Sequence, residues 1–275
     1  MSNIQIVVDS TSYISSDYIK ENNIEVVHLS VELDGKTDKE GLPGTFNEYF
    51  NRLQSTKDFP KTSQPPMGEF VEAYKRAFER GDEILAITFS SKLSGTYNSA
   101  CMAAEMIDSE KITVIDSETA VGNYRVLIDI AVNLAKKGAS REEILEEINN
   151  ARKNTNINLT VESLEYLKRG GRLSNAQAII GALLNIKPII GLIDGELIAT
   201  DKLRGKKKAI DFMISKIPEN VKVISVEYIQ NLEEAEKIKE TLQEKFKDAE
   251  VNLNELGPVI GSHLGPKAIG ICSSW

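Results

Sequence analysis

Histidine and cysteine are scarce in this chain of 275 residues, with two of each, and there is a single tryptophan. Cys101 and Cys272 lie far apart and form no redox or metal-ligand spacing, so neither a disulfide framework nor a zinc cluster organises the fold. His28 and His263 are just as remote from each other, and no metal is expected. Long hydrophobic runs are missing as well: nothing approaches the roughly 20 apolar residues of a membrane span. The stretch Ile4 to Val8 has no basic residues before it and is too short for a signal segment. A cytoplasmic location without stable membrane insertion is expected, with transient membrane contact left open. Excess positive charge is absent too. Lys and Arg number 33 against 41 Asp and Glu, a net charge of −8, the wrong sign for a general nucleic-acid binder. No Walker loop, dinucleotide fingerprint, nucleophile elbow or tandem repeat is found, so no cofactor is expected.

What is present is ordinary globular material: 41% apolar and 27% charged residues allow a sizeable core without staples. The length exceeds the usual ~100–200 residues of one domain, so two are expected. In the first half, strand patterns at Ile4 to Val8, Glu83 to Phe89 and Lys111 to Ile115 alternate with helical ones. The helical stretches are Met67 to Glu79, the alanine-rich run to Ile107, Val121 to Lys137 and Ser140 to Lys153. This alternation predicts a parallel sheet with helices on both faces. Ile24 to Leu33 alternates as one strand, and Asp34-Gly35 marks a hairpin turn. The second half reads as α+β. A strand at Asn158 to Glu162 is followed by an apolar helix at Ala176 to Leu184 and a hairpin turning at Asp194-Gly195. A helix from Gly205, strands at Lys222 to Glu227 and Glu250 to Glu255, and a last strand at Ala268 to Cys272 complete it. The boundary is placed near residue 157, giving an N-terminal α/β domain over 1–157 and a C-terminal α+β domain over 158–275.

Three expected strands of the first domain end in hydroxyl-bearing turns: Asp9-Ser10-Thr11, Ser90 to Thr96, and Asp116-Ser117. Carboxyl ends of parallel strands share one edge, where ligands settle. Ser94-Gly95-Thr96 opens a helix, so its amides and positive dipole end suit an anion, and Gly95 permits close approach. The same residues would equally serve as a plain helix cap. Thr62-Ser63-Gln64-Pro65-Pro66 is a proline-stiffened loop with the same two readings. Arg172, after Gly170-Gly171, is either part of a helix-capping turn or a fork-shaped anion partner. His263, between Gly261 and Gly265-Pro266, reads as a turn histidine whose backbone is shaped around the imidazole. His28 reads as structural. Lys202, Arg204, Lys206, Lys207 and Lys208 form a basic cluster, either a solvated face or a docking surface for an acidic partner.

Taken together, Thr62-Ser63-Gln64-Pro65, Leu93-Ser94-Gly95-Thr96-Tyr97, Gly170-Gly171-Arg172-Leu173-Ser174 and Ile260-Gly261-Ser262-His263-Leu264-Gly265-Pro266 stand in the order found in the DegV family. The chain resembles that family over essentially its whole length. The resemblance implies two α/β domains with a fatty acid in a tunnel and its carboxyl group at their junction. It also implies a non-catalytic lipid-binding subunit whose ligand a separate fatty-acid kinase phosphorylates. By position, Thr62 and Ser94 would hydrogen-bond the carboxylate with Ser63, Gly95 and Thr96 nearby, and Arg172 and His263 would lie near the head group or the kinase-facing surface. Lys267 stands where many relatives have glycine after Gly-Pro, and Gly35 to Phe46 also departs from the usual pattern.

Hydroxyls and amides hold a carboxylate without stabilising it as strongly as an arginine clamp would, so affinity would come from the tail. About 8 buried methylenes contribute roughly 6 kcal/mol before ordering costs. Ile179, Ile180, Leu183, Leu184, Ile189 and Ile190 are the expected tunnel lining, or plain core. Two other functions stay open: a lipid-acting enzyme with Ser94 as nucleophile and His263 as base, and a regulatory binding module working through the basic cluster.

Overall fold

The computed structural model describes residues 3–173 and 185–275. Along the first half run β1 (Ile4–Asp9), α1 (Ser16–Asn22), β2 (Glu25–Val27), β3 (Ser30–Leu33), β4 (Lys36–Lys39), α2 (Asn47–Ser55) and β5 (Lys61–Ser63). Then come α3 (Met67–Phe78), β6 (Glu83–Thr88), α4 (Thr96–Ile107), β7 (Ile112–Asp116), α5 (Val121–Lys136) and α6 (Arg141–Ala151). Strands β2-β1-β6-β7 form a wholly parallel sheet. Residues of alternating parity point to opposite faces. Val7, Ile84 and Ala86 therefore meet Phe70, Tyr74, Ala100 and Ala103 of α3 and α4. Ile6, Val8, Leu85 and Ile87 belong to the core on the other side, with Tyr124, Leu127, Ile128 and Ile144 of α5 and α6. Burial on both faces is why these strands read as unbroken apolar runs. One helix start is set by its own side chains: Ser140 and Glu143 close a capping box on α6.

The second half contains β8 (Thr155–Val161), α7 (Glu165–Arg169), β9 (Ile186–Ile193), β10 (Glu196–Arg204), α8 (Lys206–Ser215) and β11 (Val223–Ile229). It ends with α9 (Leu232–Lys245), β12 (Glu250–Glu255), α10 (Pro258–Leu264) and β13 (Ala268–Ser274). Its six-stranded sheet has the order β10-β9-β8-β13-β11-β12, and only the β11–β12 pair is parallel. One face carries Ile189, Ile224, Val226 and Ile271 against Met213, Ala235, Ile238 and Leu242 of α8 and α9. The opposite face carries Ile157, Leu159, Ile190 and Ile229 into the core that α5 shares with the parallel sheet. α5 thus lies between the two sheets, packed on β11 and β13 as well as on β1.

Two local readings need correction. Ile24 to Leu33 is not one strand. It breaks at His28-Leu29, so that β2 extends the parallel sheet while β3 joins the small antiparallel sheet β4-β3-β5. The cause is the Glu40 segment, which takes the ladder positions at the break. Glu40 N–H donates to the Leu29 carbonyl at 2.8 Å, and His28 Nδ1 meets the Glu40 carbonyl at 2.7 Å. Thr62 and Ser63 do not sit in a loop but in β5, an edge strand on β3. Both hairpin turns fit their sequences: Asp34-Gly35 and Asp194-Gly195 have positive φ at both central positions, the type I′ geometry that Asp-Gly favours. The basic cluster is in part structural, since Lys206 at the start of α8 pairs with Glu234 of α9. The expected helix at Ala176 to Leu184 falls outside the described residues.

Candidate functional site

Where the carboxyl end of β6 faces α10 there is a cavity of about 300 Å³, within the range of about 300–1,000 Å³ typical of small-molecule sites. Each wall comes from a different element. Phe89, Leu93, Ser94 and Gly95 follow β6. Thr62, Ser63 and Gln64 come from β5 and the turn after it. Arg172 follows α7, and Val259, Ile260, His263 and Leu264 project from α10. Helix α10 starts with Pro258 at its first turn and stops at Gly265 (φ +87), a conformation that glycine adopts without strain.

The polar end is preorganised. Ser94 Oγ lies 2.9 Å from Thr96 Oγ1 and accepts from the Thr96 amide at 3.3 Å, at the amino end of the 12-residue α4. The Gln64 side chain lies over Gly95, where a Cβ would come within 1.8 Å of Gln64 Oε1, and Gln64 Nε2 donates to Ser99 Oγ at 2.9 Å. Thr62 Oγ1 lies 2.8 Å from His263 Nε2. Gly170 sits so close to the other side of the ring that a Cβ there would be 2.3 Å from Nδ1. Nδ1 has no partner among the described residues. An orphaned buried acceptor is better tolerated than an orphaned N–H, so the favoured tautomer carries its proton on Nε2 and donates to Thr62. The Thr62 hydroxyl proton is then free to donate to a ligand in the cavity. Burial, helped by the nearby Arg172 guanidinium, pulls the His263 pKa down to about 4. The ring is therefore neutral at pH 7. Arg172 donates to the Leu93 carbonyl at 3.2 Å and the Gly170 carbonyl at 2.6 Å. Among the described residues it pairs with no carboxylate, so its positive charge faces the cavity uncompensated.

Beside this polar end lies a second, smaller chamber of about 50 Å³, lined by apolar residues and Glu227. Leu93, Leu197, Ile260 and Leu264 line both spaces and stand between them. The inner chamber lies between the six-stranded sheet and the start of α5, against Val121, Ile157, Leu159 and Leu256. A polar mouth leading to an apolar interior suits an amphiphile with an anionic head.

A family model described as an uncharacterised protein of the DegV family matches residues 3–274. The chain belongs to the DegV family. A DegV domain-containing protein of Staphylococcus aureus strain N315 is 36% identical over 271 residues, covering 97% of this chain and 96% of that protein. Among solved structures, a DegV lipid-binding protein from Thermotoga maritima aligns with a TM-score of 0.89 at 30% identity, over 99% of this chain and 98% of that one. DegV of Bacillus subtilis, a fatty-acid-binding protein, gives a TM-score of 0.87 at 34% identity with both chains fully covered. The architecture expected of a DegV protein, a parallel-sheet domain beside a separate mixed-sheet domain, is the one observed.

Of the residues singled out in the DegV motifs, Thr62, Ser63, Ser94, Gly95, Arg172 and His263 line the one cavity. Thr96 does not. It is fully buried, and its hydroxyl is turned to Ser94. His263 sits on the inward face of a helix rather than in a turn, because the turn glycine lies two residues later. The Asp9-Ser10-Thr11 turn lies outside the lining. Asp9 accepts from the amides of Thr11 (3.0 Å) and Phe89 (2.8 Å), tying the ends of β1 and β6 together, and burial raises its pKa to about 6. Ile189 packs against α8, and Ile190 belongs to the shared core; neither lines the cavities. Ile179, Ile180, Leu183 and Leu184 fall outside the described residues. Reading the sequence missed Leu197 and Leu256, whose spacing marks only buried strand positions, and Gln64, although it stood inside a quoted motif. It also missed Glu40. Buried between the halves, Glu40 accepts from Ser10 Oγ (2.6 Å), Tyr13 Oη (3.2 Å) and the Val259 amide (2.8 Å), which seats α10; burial raises its pKa to about 7. Among the described residues, no cluster of ligating side chains could hold a metal and no helix is long and apolar enough to cross a membrane.

Proposed function

We propose that this protein binds a long-chain fatty acid, with its carboxyl group at Thr62, Ser63, Ser94 and Gly95 and its tail in the apolar chamber. The observation that carries the reading is the adjacency of the two spaces: a hydroxyl-lined cavity and an apolar chamber share the side chains of Leu93, Leu197, Ile260 and Leu264 as a common wall that an acyl tail would have to pass. Relatives of the same fold are described as fatty-acid binders, and the stearic-acid-binding protein of Eubacterium ventriosum, 27% identical, is one of them. The tail supplies the affinity at roughly 0.8 kcal/mol per methylene. The hydroxyls fix the direction of the head.

The finer reading is that the carboxyl group is presented to a separate kinase. A carboxylate oxygen attacks the γ-phosphorus of ATP, the bond to ADP breaks, and an acyl phosphate remains on the carrier. Ser63 and Gln64 are exposed at the mouth, so the head group is reachable from outside. Arg172 then offsets the charge that two approaching anions would otherwise pit against each other.

The competing reading is an enzyme built on a hydroxyl and His263, favoured by the 2.8 Å Thr62–His263 contact. It is weaker on three counts. A general base works best with a pKa near the operating pH, whereas His263 is pulled to about 4. The base also needs an orienting acid, and Nδ1 has none among the described residues. Ser94, the nucleophile expected from the sequence, bonds Thr96 instead.

The test is to extract and identify the ligand of the purified protein, then add fatty acid to delipidated protein and weigh the complex by native mass spectrometry. A one-to-one acyl complex is expected. Protein that arrives empty and refuses added acid overturns the proposal. For the kinase step, Arg172→Ala should lower hydroxylamine-trapped acyl phosphate more than it lowers lipid retention; equal loss of both overturns that division of labour.

A further inference from the structure

Helix α10 is seven residues long, yet it supplies Val259, Ile260, His263 and Leu264 to the cavity wall. A helix this short does not hold its own start, and Gly257 at its N-cap has no side chain to offer the free amides. The cap comes instead from the first half of the chain. Glu40 Oε1 accepts from the Val259 amide at 2.8 Å. Tyr13 Oη accepts from the Ile260 amide at 3.4 Å and donates to the same Glu40 oxygen at 3.2 Å. Gly257 leaves room for the pair: a Cβ there would stand 2.6 Å from the Tyr13 ring and 2.7 Å from Glu40 Oε1.

Both capping residues are themselves held in place. Glu40 is 1% exposed, and its Oε2 accepts from Ser10 Oγ at 2.6 Å. Its amide donates to the Leu29 carbonyl, and its own carbonyl meets His28 Nδ1. Tyr13 has φ +47°, a left-handed backbone that a bulky residue keeps only where its surroundings impose it. Its ring packs edge-on against Phe46. Leu29, Val259 and Ile260, whose backbones this network fixes, line the cavity, whereas Glu40 and Tyr13 do not. The network therefore reaches a ligand only through other residues. His263 lies four residues after Val259, on the same face of α10. A shift of the Val259 amide carries the imidazole with it and alters the 2.8 Å contact with Thr62.

We infer that Glu40 and Tyr13 are positioning residues for the carboxylate site: they hold the start of α10 so that His263 stays against Thr62 and the Thr62 hydroxyl proton stays free for an anionic head group. The inference rests on the fatty-acid reading above and adds to that site the residues that set its preference for an acid. A pair that only stabilised the fold would, when lost, weaken every ligand alike. A pair that aims a hydroxyl weakens most the ligand that depends on it. A long-chain alcohol has the same tail as the acid but forms no charge-assisted hydrogen bond, so it depends on the aimed donors less.

Equilibrium dialysis of the delipidated full-length chain against radiolabelled hexadecanoic acid and hexadecanol measures the ratio of the two affinities. The wild type should favour the acid. Glu40→Leu should lower the ratio about tenfold. Tyr13→Phe, which loses one hydroxyl and keeps the ring, should lower it about threefold. Glu40→Gln should keep most of it, because its amide oxygen still accepts from Val259. The His263 titration midpoint, near 4 in the wild type, should move up towards 6.5 in Glu40→Leu as the ring leaves its buried seat. A folded Glu40→Leu or Tyr13→Phe protein that keeps the wild-type ratio overturns the inference, and so does an equal loss of acid and alcohol. Should Glu40→Leu fail to fold, Tyr13→Phe decides the matter. If the wild type binds neither ligand, the fatty-acid reading itself fails. If it binds the acid and every variant keeps the same preference, only the role of Glu40 and Tyr13 is lost.

Discussion

Replacing Ile260 with tryptophan should convert a long-chain binder into a short-chain one. Ile260 lines both spaces with Leu93, Leu197 and Leu264, and it is only partly buried because the cavity lies beside it. A bulky ring there would bar a tail from the chamber of about 50 Å³ while leaving the hydroxyl end intact. Each methylene that enters apolar surroundings contributes about 0.8 kcal/mol, or about fourfold in Kd. Denying about six methylenes therefore costs about 5 kcal/mol, a loss of a few thousand-fold for a long acid. Acids short enough to lie within the outer cavity should bind both proteins alike. The assay is a chain-length series by titration calorimetry or native mass spectrometry. In the wild type affinity should climb with each added carbon, and in Ile260→Trp the climb should stop early. Overpacking costs about 1–3 kcal/mol of stability, so thermal melting is run alongside. A folded Ile260→Trp protein that keeps the wild-type increment per methylene would refute the two-chamber argument.

With only two histidines in the chain, a His28→Gln background isolates the His263 ring by NMR, and its titration midpoint should lie near 4; a midpoint above 6 would contradict the burial argument. Because the folded pKa is lowered from 6.5, the His263 contribution, about 3 kcal/mol by linkage, is intact above pH 6.5 and lost as pH falls towards 4. Asp9 and Glu40 act with the opposite sign. Their raised folded pKa values of about 6 and about 7 favour the native state at low pH and lose that advantage as pH rises through those values. Glu40→Ala strips the acceptor from Ser10, Tyr13 and the Val259 amide and should cost about 2–4 kcal/mol in urea denaturation at pH 6, with no loss meaning that the network is idle. Gly95→Ala should displace Gln64 and break its bond to Ser99. Since φ −75° at Gly95 suits alanine, the expected cost is the hydrogen bond alone, about 1 kcal/mol, read as a melting shift of about 2–4 °C.

Most of the elements, and the family, could be read from the residues alone. Apolar runs at Ile4 to Val8 and Glu83 to Phe89 could be nothing but buried strands, the Asp-Gly pairs fixed both hairpins, and four short motifs in order identified a DegV chain. Local chemistry was enough there because apolar patterning, turn conformation and helix capping depend on neighbours a few residues away. Thr62, Ser63, Ser94, Gly95, Arg172 and His263 were legible as candidates, but not as members of one cavity. Only the tertiary structure brought β5, the β6 turn, the residue after α7, and α10 together, and only it took Thr96 out of the lining. It also split Ile24 to Leu33 between two sheets, because the Glu40 segment competes for the same backbone groups. The apolar side chains that line the two spaces could not be read in advance: a side chain that faces a cavity and one that faces a packed core have the same hydrophobicity and the same period. The difference lies in what stands opposite, and that is set by the docking of one sheet on another across α5.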